Sequence, residues 1–192
     1  MGVVLIKNII IRKALSSDAR SIIEVTTYTW LTTYIGLMPD ELLESRLNTI
    51  DERTRQTKES LEKKILEKRN NTFVAEVDGK VVGMLGYGKS RNENYSDSGE
   101  IYAIYVLKDY QGYGIGKKLF MTGIKTLIEQ GYNSMILNVL EGNKTIHFYE
   151  KYGGKNVDSK TDNFAGVDLT ENVMFFDNLK KIYNENRIDL QK

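Results

Sequence analysis

The chain has 192 residues, of which 41% are hydrophobic and 28% charged, and its formal net charge is +1. A chain of this length buries enough surface to fold without disulfides or a structural metal, so we expect one domain over residues 1–192 and no broad basic surface for nucleic acid. The sequence contains no cysteine, which excludes disulfides, thiol nucleophiles and cysteine-rich zinc sites and fits a reducing cytoplasm.

The N-terminal segment is apolar but short. Residues 1–11 are too few to span a bilayer, and Lys7 interrupts them without a small-residue cleavage site. We therefore expect a cytoplasmic protein with no export signal and no membrane contact. Residues 8–14 are rich in β-branched side chains and predict a first strand.

Helices are predicted between this strand and the next ones. Ser16, Ser17 and Asp18 offer N-caps for a helix that runs to about Trp30, where apolar positions recur at helical spacing. Pro39, followed by two acidic residues, predicts the first turn of a second helix.

A dense run of mixed charges follows at residues 53–69. It carries Leu61, Ile65 and Leu66 on one side. Such a run is typical of a helix with a solvated face and not of a binding surface, so we assign it no partner.

Two alternating apolar runs at residues 72–88 are joined by Asp78 and Gly79, a pair typical of a tight β-hairpin turn. After a polar loop, residues 100–106 form a continuous apolar and aromatic run. This run predicts a strand that is buried on both faces at the centre of the sheet.

The rest of the chain alternates helices and strands. The pattern predicts a helix at residues 116–130, a strand at 134–140, a short helix at 144–152 and strands near 155–161 and 168–176, followed by a polar tail. Strands and helices intermix throughout, so the fold class is α/β or α+β with a mixed sheet of six or seven strands.

Three glycines, Gly112, Gly114 and Gly116, separate the central strand from the next helix, and two lysines follow them. Amide groups at the start of a helix bind anions, and glycine lets a ligand approach the backbone closely. The even spacing does not match the dinucleotide fingerprint, and Lys118 occupies the position where a P-loop has a hydroxyl. Neither class of nucleotide-binding protein is therefore indicated.

The spacing Gln-x-x-Gly-x-Gly at Gln111, Gly114 and Gly116, after the strand IYAIYV, resembles the pyrophosphate-binding motif of the GCN5-related N-acetyltransferases (GNAT). The run VLEGNKTIHFYEKYGG about 30 residues downstream resembles the second conserved region of this superfamily, and WLTTYIGLMPDELL resembles the start of many bacterial members. The resemblance implies a mostly antiparallel sheet with helices around it and a central pair of strands that splays apart.

The same resemblance implies acetyl-coenzyme A as co-substrate and no metal. Amides of the glycine loop would bind its pyrophosphate, backbone of the central strand would bind its pantetheine arm, and the second conserved region would complete the site. The implied coenzyme-binding residues are Ile104, Tyr105, Val106, Gln111, Gly112, Tyr113, Gly114, Ile115, Gly116, Lys117, Asn143 and Tyr149. Asn143 also fits a helix N-cap, and the strand residues also fit the core.

Acetyl transfer to an amine needs an acid that protonates the departing thiolate and a group that accepts the amine proton. Tyr149 matches the tyrosine that this superfamily places near the sulfur, which implies that it is the acid. Glu100 matches a glutamate that serves several members as the base, although an exposed glutamate at a strand end has the same sequence pattern. His147 precedes Tyr149 by two positions, so their side chains diverge by about 200° around the helix, and we expect the histidine to be at the surface or half-buried.

The resemblance implies an N-acetyltransferase that transfers the acetyl group directly to a primary amine of a small molecule, a peptide or a protein. A non-catalytic module that binds or senses acyl-coenzyme A is the alternative. Trp30 and Tyr34, four residues apart on the first helix, either form a wall of the acceptor pocket or belong to the core. Polyamines, aminoglycosides, amino acids and protein N-termini all stay open as acceptors, and so does a homodimer, which is common in the superfamily.

Overall fold

The computed structural model describes residues 8–164 and 166–187. The strands of these residues are β1 (Ile9–Lys13), β2 (Thr72–Val77), β3 (Lys80–Lys89), β4 (Gly99–Val106), β5 (Met135–Leu140), β6 (Lys155–Phe164) and β7 (Val167–Phe176). The α-helices are α1 (Ala19–Thr33), α2 (Asp40–Asn48), α3 (Ile50–Leu66), α4 (Ile115–Glu129), α5 (Ile146–Lys151) and α6 (Leu179–Asn186). The strands form one sheet in the order β1-β2-β3-β4-β5-β7-β6.

The centre of the sheet opens between β4 and β5. These parallel neighbours pair only at Gly99 with Met135 and at Glu100 with Ile136, whereas β4 stays paired with β3 as far as Val106. The remaining neighbours are antiparallel. The predicted fold class is confirmed: a mostly antiparallel seven-stranded sheet, flanked by helices, contains a splayed central pair.

Helices pack on both faces of the sheet. On one face, Leu119 and Phe120 of α4 are fully buried and Leu179 of α6 packs beside them. On the other face, Val25 of α1 and Leu61 of α3 are buried. Each such side chain stabilises the fold by roughly 1.5–3 kcal/mol. The core beneath α4 contains residues of both β4 and β5, and the core beneath α1 and α3 contacts Tyr105 of β4.

The predicted hairpin is present between β2 and β3. Asp78 and Gly79 have φ of 48° and 81°. Positive φ at both central residues is the type I′ turn, whose twist matches that of the paired strands. The sequence pair that predicted the turn therefore also sets its conformation.

Asp18 precedes α1 but does not cap it. Its carboxylate accepts hydrogen bonds from the Leu15 backbone N–H at 2.7 Å and from Nη1 and Nη2 of Arg12 at 2.6 and 2.9 Å. The expected role as a helix cap is wrong, because the charge of Arg12 on β1 draws the carboxylate backwards along the chain.

Three further expectations differ from the structure. The apolar side of α3 is limited to Leu61, since Ile65 and Leu66 are 40% and 83% exposed. Strand β4 is only half-buried at residues 102–105, because one face opens on a cavity. The predicted polar tail contains α6, whose Leu179 and Ile182 are buried three positions apart.

The described residues contain no helix that is both long and apolar enough to cross a bilayer. Residues 1–7, the first part of the apolar segment considered for an export signal, lie outside the described residues.

Candidate active site

The gap between β4 and β5 widens into a cavity of about 680 Å³. Its walls come from α1, β4, the glycine loop before α4, β5, α5 and β7. The predicted site residues that line it are Trp30, Tyr34, Glu100, Ile104, Tyr105, Val106, Gln111, Gly112, Gly114, Gly116, Lys117, Asn143 and Tyr149. Tyr113, whose side chain is 44% exposed, and Ile115, which is buried in the core, do not line the cavity. These two residues would contribute through their backbone amides only.

The glycine loop presents its backbone to this cavity. Gly112 and Gly114 have φ of 84° and 80°, the left-handed region that a residue with a Cβ rarely adopts. The first backbone bond of α4 runs from the Lys118 N–H to the Gly114 carbonyl at 3.0 Å, so the N–H groups of Ile115 and Gly116 have no acceptor within the helix. A Cβ added at any of the three glycines would meet no protein atom within 4 Å. The loop therefore combines open space with the positive end of a helix, which suits an anion.

The side chain of Gln111 ties this loop to the end of β4. Its amide nitrogen donates a hydrogen bond to the Val106 carbonyl at 3.0 Å. Leu107 donates its N–H to β3 at 2.9 Å, and backbone groups alternate between the two edges of a strand. The backbone of Ile104 and Val106 consequently faces the gap, whereas the backbone of Tyr105 faces β3.

Three phenols meet at the part of the cavity next to α1. Tyr149 of α5 is 7% exposed, and burial, aided by the nearby Tyr105, raises its pKa. Burial also raises the pKa of Tyr34, and Tyr105, Tyr149 and Glu171 add to that shift. Both phenols therefore stay protonated at neutral and mildly alkaline pH.

Asn143 lies at the head of α5 and is 8% exposed. Its Oδ1 accepts a hydrogen bond from the Thr145 N–H at 3.0 Å. Thr145 and not Asn143 occupies the N-cap position of α5, so the N-cap alternative for Asn143 does not apply, and its bond to Thr145 closes a turn that precedes the helix. Binding of the coenzyme by Asn143 stays a prediction, and its buried side chain lines the cavity.

Glu100 is 3% exposed and is bound by Arg91. The carboxylate accepts hydrogen bonds from the Arg91 backbone N–H at 2.7 Å, from its Nε at 3.1 Å and from its Nη2 at 2.5 Å. The same guanidinium lies 4.2 Å from the centre of the Tyr102 ring. Because Glu100 precedes Tyr105 by five residues on one strand, roughly 16 Å separate their backbones. Glu100 therefore belongs to the end of the cavity away from the phenols.

Trp30 and Tyr34 both line the cavity, which supports the interpretation as a pocket wall. Their rings pack edge to face with centroids 5.0 Å apart. The Arg46 guanidinium stacks 3.6 Å from the centre of the Trp30 ring, and burial together with Arg53 lowers the pKa of Arg46 to about 10. The Arg46 guanidinium thus stabilises the position of the Trp30 ring through a cation–π contact.

His147 lies at the surface, as predicted. Its side chain is 77% exposed, and Nδ1 lies 2.9 Å from Oε2 of Glu150 on the same helix. The side chain does not line the cavity. This histidine is therefore not placed to act on a ligand there.

Several polar or aromatic residues of the cavity wall were not predicted, and four of them matter for the site. Arg91, Tyr102, Asn138 and Glu171 line the cavity. The side-chain nitrogen of Asn138 on β5 lies 3.3 Å from Oε2 of Glu171 on the adjacent strand β7. A polar residue inside the apolar run MILNVL was a usable signal for Asn138. Arg91 has no local signal, since a base just after a strand is usually solvated, and Tyr102 and Glu171 lie within strands where the sequence does not show which side chains face a cavity.

Comparison with known proteins agrees with this architecture. The sequence model of the acetyltransferase (GNAT) family matches residues 37–154. An uncharacterized N-acetyltransferase of Bacillus subtilis is 33% identical over 84% of this chain and 88% of its own length. A spermidine N(1)-acetyltransferase of Thermoplasma acidophilum is 27% identical over 80% of this chain and 92% of its own. Among solved structures, the PaiA N-acetyltransferase of Thermoplasma acidophilum in complex with coenzyme A has a TM-score of 0.67 and 26% identity, covering 89% of this chain and 99% of that one.

Proposed function

The chain belongs to the acetyltransferase (GNAT) family and is an N-acetyltransferase, and we propose that it moves the acetyl group of acetyl-coenzyme A directly to the primary amine of a small molecule, a peptide or a protein. The observation that carries the proposal is that one cavity joins the open backbone of the glycine loop to the buried phenol of Tyr149. The solved relative with bound coenzyme A supports this donor, and the relative named for spermidine supports a small aliphatic amine among the acceptors.

The glycine loop and β4 would hold the coenzyme. The amides at the start of α4 would donate hydrogen bonds to the pyrophosphate, and the missing side chains at Gly112, Gly114 and Gly116 allow it to approach. The backbone of Ile104 and Val106 on the gap edge of β4 would pair with the pantetheine arm. Because Gln111 already binds the Val106 carbonyl, that arm would pair with the remaining groups of this edge.

Tyr149 would supply the proton that the reaction requires. The amine nitrogen bonds to the acetyl carbon as the carbon–sulfur bond breaks, the nitrogen loses one proton, and the departing sulfur gains one. Burial raises the pKa of Tyr149, which keeps the phenol protonated until it is needed. Each pKa unit by which the phenol exceeds the thiol makes the transfer about 1.4 kcal/mol less favourable, so the hydrogen bond to sulfur would form first and the proton would follow as charge develops.

Glu100 stays the predicted acceptor of the amine proton. Arg91 holds its carboxylate at the far end of the cavity, so it would act through water and not by direct contact. Asn143 and Lys117 on the coenzyme side, and Trp30 and Tyr34 on the acceptor side, would complete the site. We further propose that this site belongs to a single domain.

A thiol-release assay tests the proposed function. Purified protein is incubated with acetyl-coenzyme A and a panel of primary amines that includes aliphatic amines, amino acids and a peptide N-terminus. An N-acetyltransferase releases coenzyme A in proportion to acetylated amine detected by mass spectrometry. Coenzyme binding without turnover of any amine would instead favour the acyl-coenzyme A sensing module.

A further inference from the structure

Glu171 is an acid in the cavity wall that the proposed reaction does not use. It lies on β7, opposite Leu140 of β5 in the strand register, and its side chain lines the same cavity as Tyr149. It is half-buried, and it contributes to the raised pKa of Tyr34, so it belongs to the phenol end of the cavity. A carboxylate in that place would lie beside the amine that attacks the thioester.

The cations around Glu171 are bound to other acids. Arg91 donates to Glu100, and Lys160, which faces Glu171 across the β6–β7 pair, binds Asp162 at 2.8 Å. Within the described residues Glu171 forms no ion pair, and its one side-chain hydrogen bond comes from the neutral amide of Asn138. Burial raises the pKa of its carboxyl, as does Asp162, while Asn138, Arg91 and Lys160 act in the opposite direction. A partly buried carboxylate of this kind is stabilised when it pairs with a cation, and here the ligand would have to provide that cation.

The walls around this carboxylate suit an alkyl ammonium ion. Tyr34, which interacts electrostatically with Glu171, and Trp30, whose ring packs on Tyr34, line the same cavity, and aromatic rings attract ammonium groups and pack against methylene chains. At the other end of the cavity, Arg91 is already bound to Glu100, so it is not offered to an acceptor as a partner. An acceptor with a carboxylate near its amine would meet the carboxylate of Glu171 at the phenol end.

We propose, on the basis of the proposed function, that Glu171 binds a second positive charge of the acceptor and that the enzyme therefore acts on aliphatic amines with two cationic groups. One amine of the acceptor, in its neutral form, attacks the thioester. The other stays protonated and binds Glu171. The carboxylate thus selects and orients the acceptor and takes no part in proton transfer.

Three acceptors with a four-carbon chain distinguish the effects of a positive, a neutral and a negative group at the end away from the reacting amine. 1,4-Diaminobutane, n-butylamine and 4-aminobutanoate end in an ammonium, a methyl and a carboxylate group, and each has one further amine for acetylation. The wild-type enzyme should prefer the diamine to butylamine by about 10- to 100-fold in kcat/KM, the range expected for a charge-assisted hydrogen bond, and should use 4-aminobutanoate least.

Glu171→Gln removes the charge and keeps the size of the side chain. It should raise KM for the diamine by about the same factor, leave kcat within about threefold, and change butylamine little, because uniform binding affects KM alone. Glu141→Gln is the matched control. Glu141 is exposed beside Thr170, lies outside the cavity wall, and undergoes the same change of charge, so this variant should behave as the wild type.

Several outcomes would overturn the proposal and leave the proposed function intact. They are equal use of diamine and butylamine by the wild type, a Glu171→Gln variant that keeps the preference, and a fall in kcat without a rise in KM. Turnover of no amine at all would overturn the proposed function. Calorimetric titration of 1,4-diaminobutane into the coenzyme A complex then tests the role of Glu171 independently of turnover. If Glu171→Gln binds the diamine as tightly as the wild type, Glu171 is not the binding site of the second charge.

Discussion

Tyr149 combines two properties that oppose each other in an acid catalyst. Its burial keeps the phenol protonated, and the same burial makes the tyrosinate costly. Phe120 and Phe148 pack against its ring and fix the direction of the hydroxyl. We therefore interpret Tyr149 as a donor that is held in place and that acts late, when negative charge has formed on the sulfur.

Tyr149→Phe removes only the hydroxyl, so it should lower kcat by roughly 10²-fold or more while the affinity for acetyl-coenzyme A changes little. At pH values below the pKa of the acceptor amine, about 10, kcat/KM of the wild type should rise with pH because the amine loses its proton. Because the pKa of Tyr149 is raised, the profile should show no falling limb in that range. Steady-state kinetics between pH 6 and 10 check both points.

Tyr113→Phe is the control for this variant, since Tyr113 is exposed and lies outside the cavity wall. Equal turnover by Tyr149→Phe and the wild type across this pH range would remove Tyr149 from the mechanism. A falling limb well below pH 10 that is absent in Tyr149→Phe would contradict the raised pKa.

Sequence reasoning at the level of single residues was most informative within contiguous motifs. Asn143 precedes α5 by three residues and Tyr149 lies on that helix, so their spacing carried the information, and both line the cavity. Glu100 also lines the cavity, but its binding by Arg91 was not foreseen, because the polar loop between β3 and β4 brings the two together. Glu171 carries no sequence signal, since only the fold turns it towards the cavity.

At the level of elements, the start of α4 would carry the proposed coenzyme site. The strand before it ends at Val106, and the Gln111 side chain closes the loop back onto that strand. The left-handed φ of Gly112 and Gly114 turns the chain so that the first helical amides face the cavity. Gly116 differs from both, because its φ is not left-handed.

Because alanine can adopt the backbone conformation of Gly116, Gly116→Ala tests whether the pyrophosphate approaches the backbone at this position. The added methyl meets no protein atom within 4 Å. Alanine in a helix is favoured over glycine by about 1 kcal/mol, so the variant should be as stable as the wild type or more stable. It should nevertheless weaken coenzyme A binding by about tenfold or more, because the methyl occupies the space of the pyrophosphate. Thermal unfolding and calorimetric titration measure the two effects.

Gly131→Ala provides the opposite pattern as a control. Gly131 has φ of 94° and lies outside the cavity wall, so alanine there should lower stability through backbone strain and leave coenzyme binding unchanged. If Gly116→Ala binds coenzyme A as tightly as the wild type, the backbone at Gly116 is not in contact with the ligand.

The elements themselves were largely predictable. Hydrophobic periodicity located most of the seven strands and the first five helices, because most of them bury one face in a core, whereas Pro39 and two acidic residues indicated α2 and β6 is exposed along its whole length. The exception is α6, which is short and polar apart from Leu179, Ile182 and Tyr183 and takes its stability from packing on α4. Tertiary contacts, and not the local sequence pattern, therefore decide whether this segment is helical.

At the level of the whole molecule, the two halves of the cavity differ in how the chain builds them. The coenzyme half comes from two contiguous segments, β4 to the start of α4 and the turn into α5. The proposed acceptor half joins Trp30 of α1 and Glu171 of β7, residues that only folding brings together. The residues proposed to bind the donor could therefore be found in the sequence, whereas those proposed to bind the acceptor required the structure.

The central claim is that the first amides of α4 bind the diphosphate and thereby direct the thioester towards Tyr149. A crystal structure of the protein with coenzyme A tests this claim most directly. We predict diphosphate oxygens about 3 Å from the amide nitrogens of Ile115 and Gly116, and the sulfur within hydrogen-bonding reach of the Tyr149 hydroxyl. A diphosphate bound away from this helix, or a sulfur remote from Tyr149, would contradict the account.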